Sequence, residues 1–310
     1  MIVSSRAPVR VDFAGGWTDV DIFARGAGGI VINAAINHYV TGELEVLESE
    51  GDHGNERFGL ALAGGKEGLR VTYQSDLPSG SGLGTSAALN VVWLSLINSQ
   101  IANDNDRSRI AELAYELEEM LGILGGRQDQ YIAAFGGICS MTFGECVEVE
   151  RLSIPASMLK EMDERLTLCY TGKPRLSGNI HENVWGAFRK GATKTVNALY
   201  GLRDCAVEMR TALLSGDIDR FASLLDMNWQ HQRALDPSVT NSDIERLFET
   251  AYSNGALGGK ACGAGGGGCL IFCAKPGAAV SLSHALEKEG ARIIEFGFEH
   301  DGLKVIRHEA

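Results

Sequence analysis

The sequence has no apolar run of membrane-spanning length, and residues 1 to 15 lack the apolar core of a signal peptide, so a cytoplasmic protein is expected. It has no C-x-x-C pair. Its seven cysteines (139, 146, 169, 205, 262, 269 and 273) are odd in number and scattered, which favours buried reduced thiols over a disulfide framework or a zinc site. No H-E-x-x-H occurs, so metalloenzyme chemistry and a histidine-based triad lack support. Positive charge is scarce: 28 Lys and Arg stand against 40 Asp and Glu, a net charge of −12 spread along the chain. That argues against nucleic acid, whose phosphates are held mainly by Lys and Arg. It does not exclude ATP, whose phosphates can be held locally by backbone dipoles and Mg²⁺.

The 310 residues, 45% apolar and 22% charged, fit an ordinary globular protein, and the length suggests two domains. Glycine is plentiful where chemistry would need it. In LPSGSGLGTSAAL (77 to 89), Pro78, Ser79, Gly80, Ser81, Gly82, Leu83, Gly84, Thr85 and Ser86 precede a run that reads as a buried helix. Glycines let backbone approach a ligand, and the first N–H groups of a helix have no intrahelical acceptor, so this loop suits an anion. Thr85 and Ser86 bring hydroxyls for phosphate or for a phosphate-bound metal. The loop is neither a Walker loop, since no lysine follows Gly84, nor a dinucleotide fingerprint, since Thr85 stands where the third glycine belongs. Taken alone, it also fits a tight solvent-facing turn.

RAPVRVDFAGGWTD (6 to 19) opens as a strand with Val9, Val11 and Phe13 facing one way and Arg10 and Asp12 the other, ending at Gly15-Gly16. Trp17, Thr18 and Asp19 follow on the turn. An indole beside a carboxylate suits a sugar, and it equally suits a core anchor with a turn cap. Two strands are expected over 28 to 47, a polar surface loop or hairpin over 49 to 67, and a strand at 70 to 74. A helix over 106 to 121 carries an apolar stripe of Ile110, Leu113, Ala114, Leu117 and Leu121. At about 100° per residue, Glu118 falls roughly 90° from the stripe centre, Glu116 about 110°, and Glu119 nearly opposite. Glu118 is therefore the candidate to look into a cleft and Glu119 a solvated charge; surface positions for all three are the alternative. GGRQDQY (125 to 131) then sets Asp129 at a helix start, where an acid also serves as a cap or first-turn charge.

Residues 142 to 165 are mixed and polar and read as a boundary between halves. A strand over 166 to 177 runs into a turn with Lys173 and Arg175, and helices are expected over about 181 to 214, 217 to 234 and 243 to 254. The last has Ser242 and Glu245 in capping-box spacing. A strand, a glycine loop (Gly263 to Gly268) and a strand fill 256 to 274, with a final strand over 291 to 298. The glycine loop reads as a tight turn or as backbone laid against a ligand, with Gly265 the candidate contact.

In order and spacing, RAPVRVDFAGGWTD, LPSGSGLGTSAAL and CGAGGGGCLIF resemble the three motifs of the GHMP kinases, over almost the whole chain. GGWTD, the Q-D-Q segment and YTGKPR are similar to sugar kinases of the heptose 7-phosphate kinase and L-fucokinase type. The resemblance implies an α+β fold of two domains: residues 1–160 a ribosomal S5 domain 2-like ATP-binding domain, residues 161–310 a ferredoxin-like domain, with the active site between them. It implies ATP and Mg²⁺, with residues 78 to 86 around the phosphates, Ser86 and Glu118 holding the metal, and Asp129 facing the attacking hydroxyl with Arg10 beside it. Trp17, Thr18 and Asp19 would meet the sugar. Galactokinases carry a Glu-His pair where this chain has Gly16-Trp17, which speaks against galactose.

The implied reaction is phosphoryl transfer to the anomeric hydroxyl of a sugar or sugar phosphate, D-glycero-D-manno-heptose 7-phosphate ahead of L-fucose. Partners are then a small sugar, with no nucleic acid or membrane, in a monomer or homodimer. At position 127 fucokinase-like sequences tend to carry tryptophan and heptose 7-phosphate kinase-like ones lysine. Arg127 here is either a fork that grips a substrate phosphate or a partner for a carboxylate such as Asp19. A non-catalytic sugar and ATP sensor on the same fold is the competing class, which has no need of both Asp129 and Glu118.

Overall fold

In the computed structural model, which describes residues 2–47, 68–78, 80–98, 101–173 and 177–308, the Val9–Phe13 alternation belongs to one long strand, β1 (Ile2–Ala14). Alternation survives only in its first half. Arg10 and Asp12 lie on the opposite face from the valines but are buried, because that face looks into a cleft. After the short α1 (Asp21–Ala27), the two strands expected over 28 to 47 are a single strand, β2 (Gly29–Leu47). The chain stays extended through Asn37, where a turn was expected. Pro8 pairs with Tyr39 and Val9 with Ile36, so Asn37 and His38 are taken up as a bulge. β2 uses its first part to pair with β4 (Ile138–Phe143) and its second to pair with β3 (Gly68–Ser75). The loop expected over 49 to 67 lies outside the described residues, as do Ser79 and Arg175.

Between β3 and β4 run α2 (Thr85–Asn98), α3 (Asp104–Met120) and α4 (Gln128–Phe135), and β5 (Val147–Arg151) follows β4. The first sheet has the order β10-β1-β2-β4-β5, with β3 also on β2; its outer strand β10 (Lys304–His308) comes from the end of the chain. The end of the chain thus returns to the sheet built from its first half. Beyond β5 come α5 (Ala156–Arg165), β6 (Leu166–Tyr170), α6 (Ser177–Arg189), α7 (Thr193–Ser215), α8 (Ile218–Leu235), α9 (Ser242–Ser253), β7 (Ala256–Ala261), β8 (Cys269–Ala274), α10 (Ala279–Lys288) and β9 (Arg292–Ile294). The second sheet, β7-β8-β6-β9, is antiparallel throughout, with helices after its first and third strands in chain order. That is the split βαβ arrangement of the ferredoxin-like fold.

Three boundaries differ from expectation. The helix expected over 181 to 214 breaks at Gly191 into α6 and α7. α9 is capped by Asn241 rather than Ser242, its side chain accepting from the Asp243 and Ile244 amides, while Glu245 accepts from Thr240. The last expected strand shortens to β9. The main core joins both halves: Val9, Val11 and Phe13 pack with Phe221, Leu224 and Cys205 of α7 and α8, and the Phe13 and Phe221 rings meet edge to face at 5.2 Å. A second core gathers Trp17, Trp185, Trp229 and Phe248. No helix among the described residues is long and apolar enough to cross a membrane.

α3 begins with a capping box that the sequence reading passed over: the Asn103 side chain accepts from the Asn105 and Asp106 amides, and the Asp106 carboxylate accepts from the Asn103 amide. Asn103→Ala is expected to lower unfolding free energy by about 1 kcal/mol, read by urea denaturation with an unchanged m-value. No measurable loss would mean that tertiary packing alone fixes the start of α3.

Candidate active site

A cavity of about 330 Å³ opens between the two halves. The first half contributes Arg10 and Asp12 of β1, the turn after it, the loop 80–86, Glu118 of α3 and the start of α4; the second contributes His181 of α6 and the backbone of Gly263 and Ala264. The loop is fixed from both sides. The Arg10 amide donates to Leu83 O (2.9 Å), and the Cys269 amide donates to Ser81 O (2.7 Å). Gly268, at φ +79°, lies so close that a Cβ there would come within 2.6 Å of Ser81 O. The C-terminal glycine run therefore serves as a buttress. Gly265, the contact expected from it, instead packs on Val239, and its neighbours Gly263 and Ala264 face the cavity.

Arg10 is fully enclosed and makes three hydrogen bonds: Nε and Nη2 donate to Asp129 Oδ1 and Oδ2 at 2.8 and 2.9 Å, and Nη1 donates to Gly82 O at 2.6 Å. Burial works against its charge, but Asp129 and then Asp12 more than offset that and hold it above its ordinary value. One guanidinium thus ties the start of α4 to the glycine loop at the start of α2. The juxtaposition of Arg10 and Asp129 agrees with what the motifs implied.

α3 is rotated relative to the expected stripe. Its buried residues are Ile110, Ala111, Ala114, Tyr115 and Glu118, whereas Leu121 is exposed, so Glu118 sits within the buried face and Glu119 outside it. Leu121 misled the phase, because it is exposed rather than in the core, and Ile123 and Leu124 after it line the cavity. Glu118 Oε1 accepts from Asn90 Nδ2 (3.0 Å) and Oε2 from Gln130 Nε2 (2.8 Å). Both partners are neutral. Burial, and then the charge of Asp129, push the Glu118 carboxyl up to about 7. An acid in that state, lining the same cavity as Ser86, suits a divalent cation. Among the described residues no three His, Cys, Asp or Glu side chains converge into a metal cage. Mg²⁺ commonly relies on one or two carboxylates together with substrate phosphates, so the donor set fits it.

The turn after β1 divides its expected roles. Asp19 lines the cavity, 2% exposed, accepting from the Gln128 amide (3.1 Å), and burial pushes it up to about 7. A Cβ at Gly126 would run into the Asp19 carboxylate, which explains one glycine of the pair before Arg127. Trp17 also lines the cavity, at φ +82° the one non-glycine residue with positive φ among the described residues, and stacks on His181 with ring centroids 4.5 Å apart. Thr18 does not face the cavity. Its hydroxyl donates to Gly15 O and contacts Ile30, a turn lock rather than a ligand contact.

Arg127 also departs from the phosphate-gripping expectation. Its guanidinium pairs with Asp21 (3.0 Å) and Glu112 (3.6 Å) and lies over the Tyr115 ring, away from the cavity lining. It is a structural partner for carboxylates, though Asp21 and Glu112 take the place expected of Asp19. Sequence reading missed Asp12, Asn90, Gln128, Gln130, His181 and Lys260. Asn90 was within reach, one helical turn after Ser86, and the two glutamines flank Asp129; Lys260 and His181 carried no local signal.

The Glu118 carboxyl ionises near 4.5 in an unfolded chain and near 7 in the folded protein. Between those values the folded state keeps a proton that the unfolded chain has lost, so folding stability falls as pH rises through this window. Without metal or nucleotide, wild type should lose about 2 to 3 kcal/mol relative to Glu118→Gln between pH 5 and pH 8, read by urea denaturation. A wild-type-to-variant gap that does not move with pH would contradict this environment for Glu118.

Known proteins resemble this chain along almost its whole length. Residues 47–137 match the GHMP kinases N terminal domain and residues 209–292 the GHMP kinases C terminal region. The chain is 31% identical to the D-glycero-alpha-D-manno-heptose 7-phosphate kinase of Campylobacter jejuni subsp. jejuni, over 97% of this chain and 98% of that one. It is 28% identical to the L-fucokinase/L-fucose-1-P guanylyltransferase of Bacteroides fragilis, over 99% of this chain but 38% of that longer protein. The crystal structure of a D-glycero-D-manno-heptose 1-phosphate kinase from Bacteriodes thetaiotaomicron, 26% identical, superposes with a TM-score of 0.77 over 99% of this chain and 100% of that one. Three motifs, two domain matches and a near full-length relative converge on one conclusion: the chain belongs to the GHMP kinases, in their sugar kinase branch.

Proposed function

We propose that the protein is an ATP-dependent kinase that transfers the γ-phosphate to the anomeric hydroxyl of a sugar or sugar phosphate, with D-glycero-D-manno-heptose 7-phosphate as its acceptor. The observation that carries the reaction type is the Arg10–Asp129 pair set against the glycine loop in one cleft. The acceptor rests on the likeness, near full length, to the heptose 7-phosphate kinase of Campylobacter jejuni.

Phosphoryl transfer asks a protein for positioning and charge neutralisation more than for covalent work. Amides of the loop and of the first turn of α2 receive the phosphates, with Gly80 to Ser86 as the wall. Asp129, both oxygens held by Arg10, keeps lone pairs to orient the acceptor hydroxyl and receive its proton. Asp19 and Trp17 hold the sugar, the carboxylate accepting from hydroxyls and the indole covering an apolar face. Ser86 and Glu118 would hold Mg²⁺, which supplies neutralisation of phosphate charge. In this reading residues 1–160 carry the nucleotide and residues 161–310 close the cleft.

One observation favours an unphosphorylated deoxyhexose such as L-fucose as a second reading. Arg127 is committed to Asp21 and Glu112, and the cavity is lined by four carboxylates, Asp12, Asp19, Glu118 and Asp129. Sugar-dependent ADP release separates the two: kcat/KM for the heptose 7-phosphate should exceed that for L-fucose by about tenfold or more, a difference of about 1.4 kcal/mol. The reverse order would install the fucokinase reading, and no ADP release with any sugar would favour the sensor class.

Two substitutions test the roles. Asp129→Asn should lower kcat by roughly 10² to 10⁴ with ATP affinity nearly unchanged. Turnover close to wild type would remove Asp129 from the chemistry. Glu118→Gln should raise the Mg²⁺ concentration needed for half-maximal rate, while Glu119→Gln, whose wild-type carboxylate accepts from Tyr115, should leave it unchanged. Equal effects would overturn the assignment of the metal carboxylate.

A further inference from the structure

A second buried ion pair lies next to the Arg10–Asp129 pair and has no part in the chemistry described so far. Lys260 of β7, with 0% of its side chain exposed, donates from Nζ to both Asp12 Oδ2 and Asp12 O, each at 2.8 Å. The bond crosses from the second sheet to the first. Such a pair is expensive to desolvate, and apolar side chains of similar volume often hold a core equally well, so its retention at the edge of a cavity points to a task other than stability.

Asp12 lies two residues from Arg10 on the same face of β1 and also lines the cavity, so the two side chains are neighbours. Among the described residues Asp12 Oδ1 has no hydrogen-bond partner. Arg10 nevertheless gives both fork nitrogens to Asp129 and its third hydrogen bond to Gly82 O. Two carboxylates therefore stand within electrostatic reach of one buried guanidinium, and only one receives its fork. What distinguishes them is that Asp12 already holds a cation.

We propose that Lys260 is a positioning residue: by occupying Asp12 it keeps the Arg10 fork on Asp129, so that the second half of the chain orders the charges of the cleft as Lys260, Asp12, Arg10, Asp129. The proposal rests on the reading of Asp129 as the group that acts on the acceptor hydroxyl. Without Lys260, Asp12 is a buried carboxylate lacking a cation, and in that dry setting it draws the guanidinium from Asp129. With Asp12 neutral as well, the competitor is gone.

The test compares the full-length wild type, Lys260→Met, Lys260→Met/Asp12→Asn and Asp129→Asn in steady-state kinetics and urea unfolding. Lys260→Met is expected to lower kcat of the folded protein about tenfold or more while KM for ATP stays within about twofold, and adding Asp12→Asn should recover most of the lost kcat. Recovery of rate on removing a second charge is the signature that a packing role would not produce. Lys260→Gln takes the place of Lys260→Met if the latter does not fold, with the same expectations. Wild-type kcat in the folded single variant, with only the unfolding midpoint lowered, overturns the proposal; so does a double variant as slow as the single. If Asp129→Asn itself turns over at the wild-type rate, the reading of Asp129 falls first and the proposal with it. A slow Asp129→Asn beside a normal Lys260→Met defeats only the role of Lys260.

Discussion

The structure depends on one enclosed guanidinium. Arg10 sits in the middle of a sheet strand where burial opposes its charge, and it is tolerated because every nitrogen of the fork has an acceptor. Those acceptors come from separate pieces of chain: Asp129 at the start of α4 and Gly82 in the loop before α2. A side chain satisfied in this way fixes the distance between the two helix starts. The amide of the same residue holds Leu83, and the second half of the chain holds Ser81 through the Cys269 amide. The glycine loop is thereby shaped before any ligand arrives, which is the preorganisation that electrostatic catalysis requires.

Around this pair the cleft carries more negative charge than it neutralises. Asp12 has Lys260 and Asp129 has Arg10, but Asp19 and Glu118 accept only from neutral donors and are both pushed up to about 7, burial first and Asp129 contributing. Burial of these acids favours ligands that bring positive charge or hydrogen-bond donors. The two unpaired acids differ in neighbourhood: Glu118 lies beside the Ser86 wall of the phosphate loop, where a cation would relieve it, and Asp19 lies beside Trp17, where hydroxyl donors would. The proposed division of the cleft into a phosphate side and a sugar side rests on which acids lack cations.

The first two motifs and the GGRQDQY segment were legible in the sequence because each rests on local chemistry: a strand alternation ending in glycines, a glycine loop before an apolar helix, a glycine pair before an acid. Asp129 and Arg10 were named from them, and the structure joins the two. Glu118 was selected over Glu119 by helical phase, although the stripe centre was misplaced because Leu121 is exposed and not in the core. What could not be read locally is partnership across the fold. Arg127 was legible as a fork, but Asp21 lies 106 positions earlier in the chain and Glu112 on another helix. Lys260 looked like one more residue of an apolar strand, and its buried partner Asp12 is 248 positions away. β2 read as two strands because its bulge at Asn37 and His38 is set by pairing with β1, not by a turn sequence of its own. Gly265 was singled out from a run of glycines whose members differ only in what packs against each.

The central claim is that this cleft places the anomeric hydroxyl of a sugar, held by Asp19 and Trp17, at Asp129 for attack on the γ-phosphate. The most direct measurement is the position of the new phosphate in the product formed from D-glycero-D-manno-heptose 7-phosphate, ATP and Mg²⁺, read by two-dimensional ³¹P–¹H NMR. The account predicts a new phosphorus resonance correlated with the anomeric proton, appearing in step with ADP. ADP formed together with free inorganic phosphate, or a phosphate correlated with a ring proton other than the anomeric one, would contradict it.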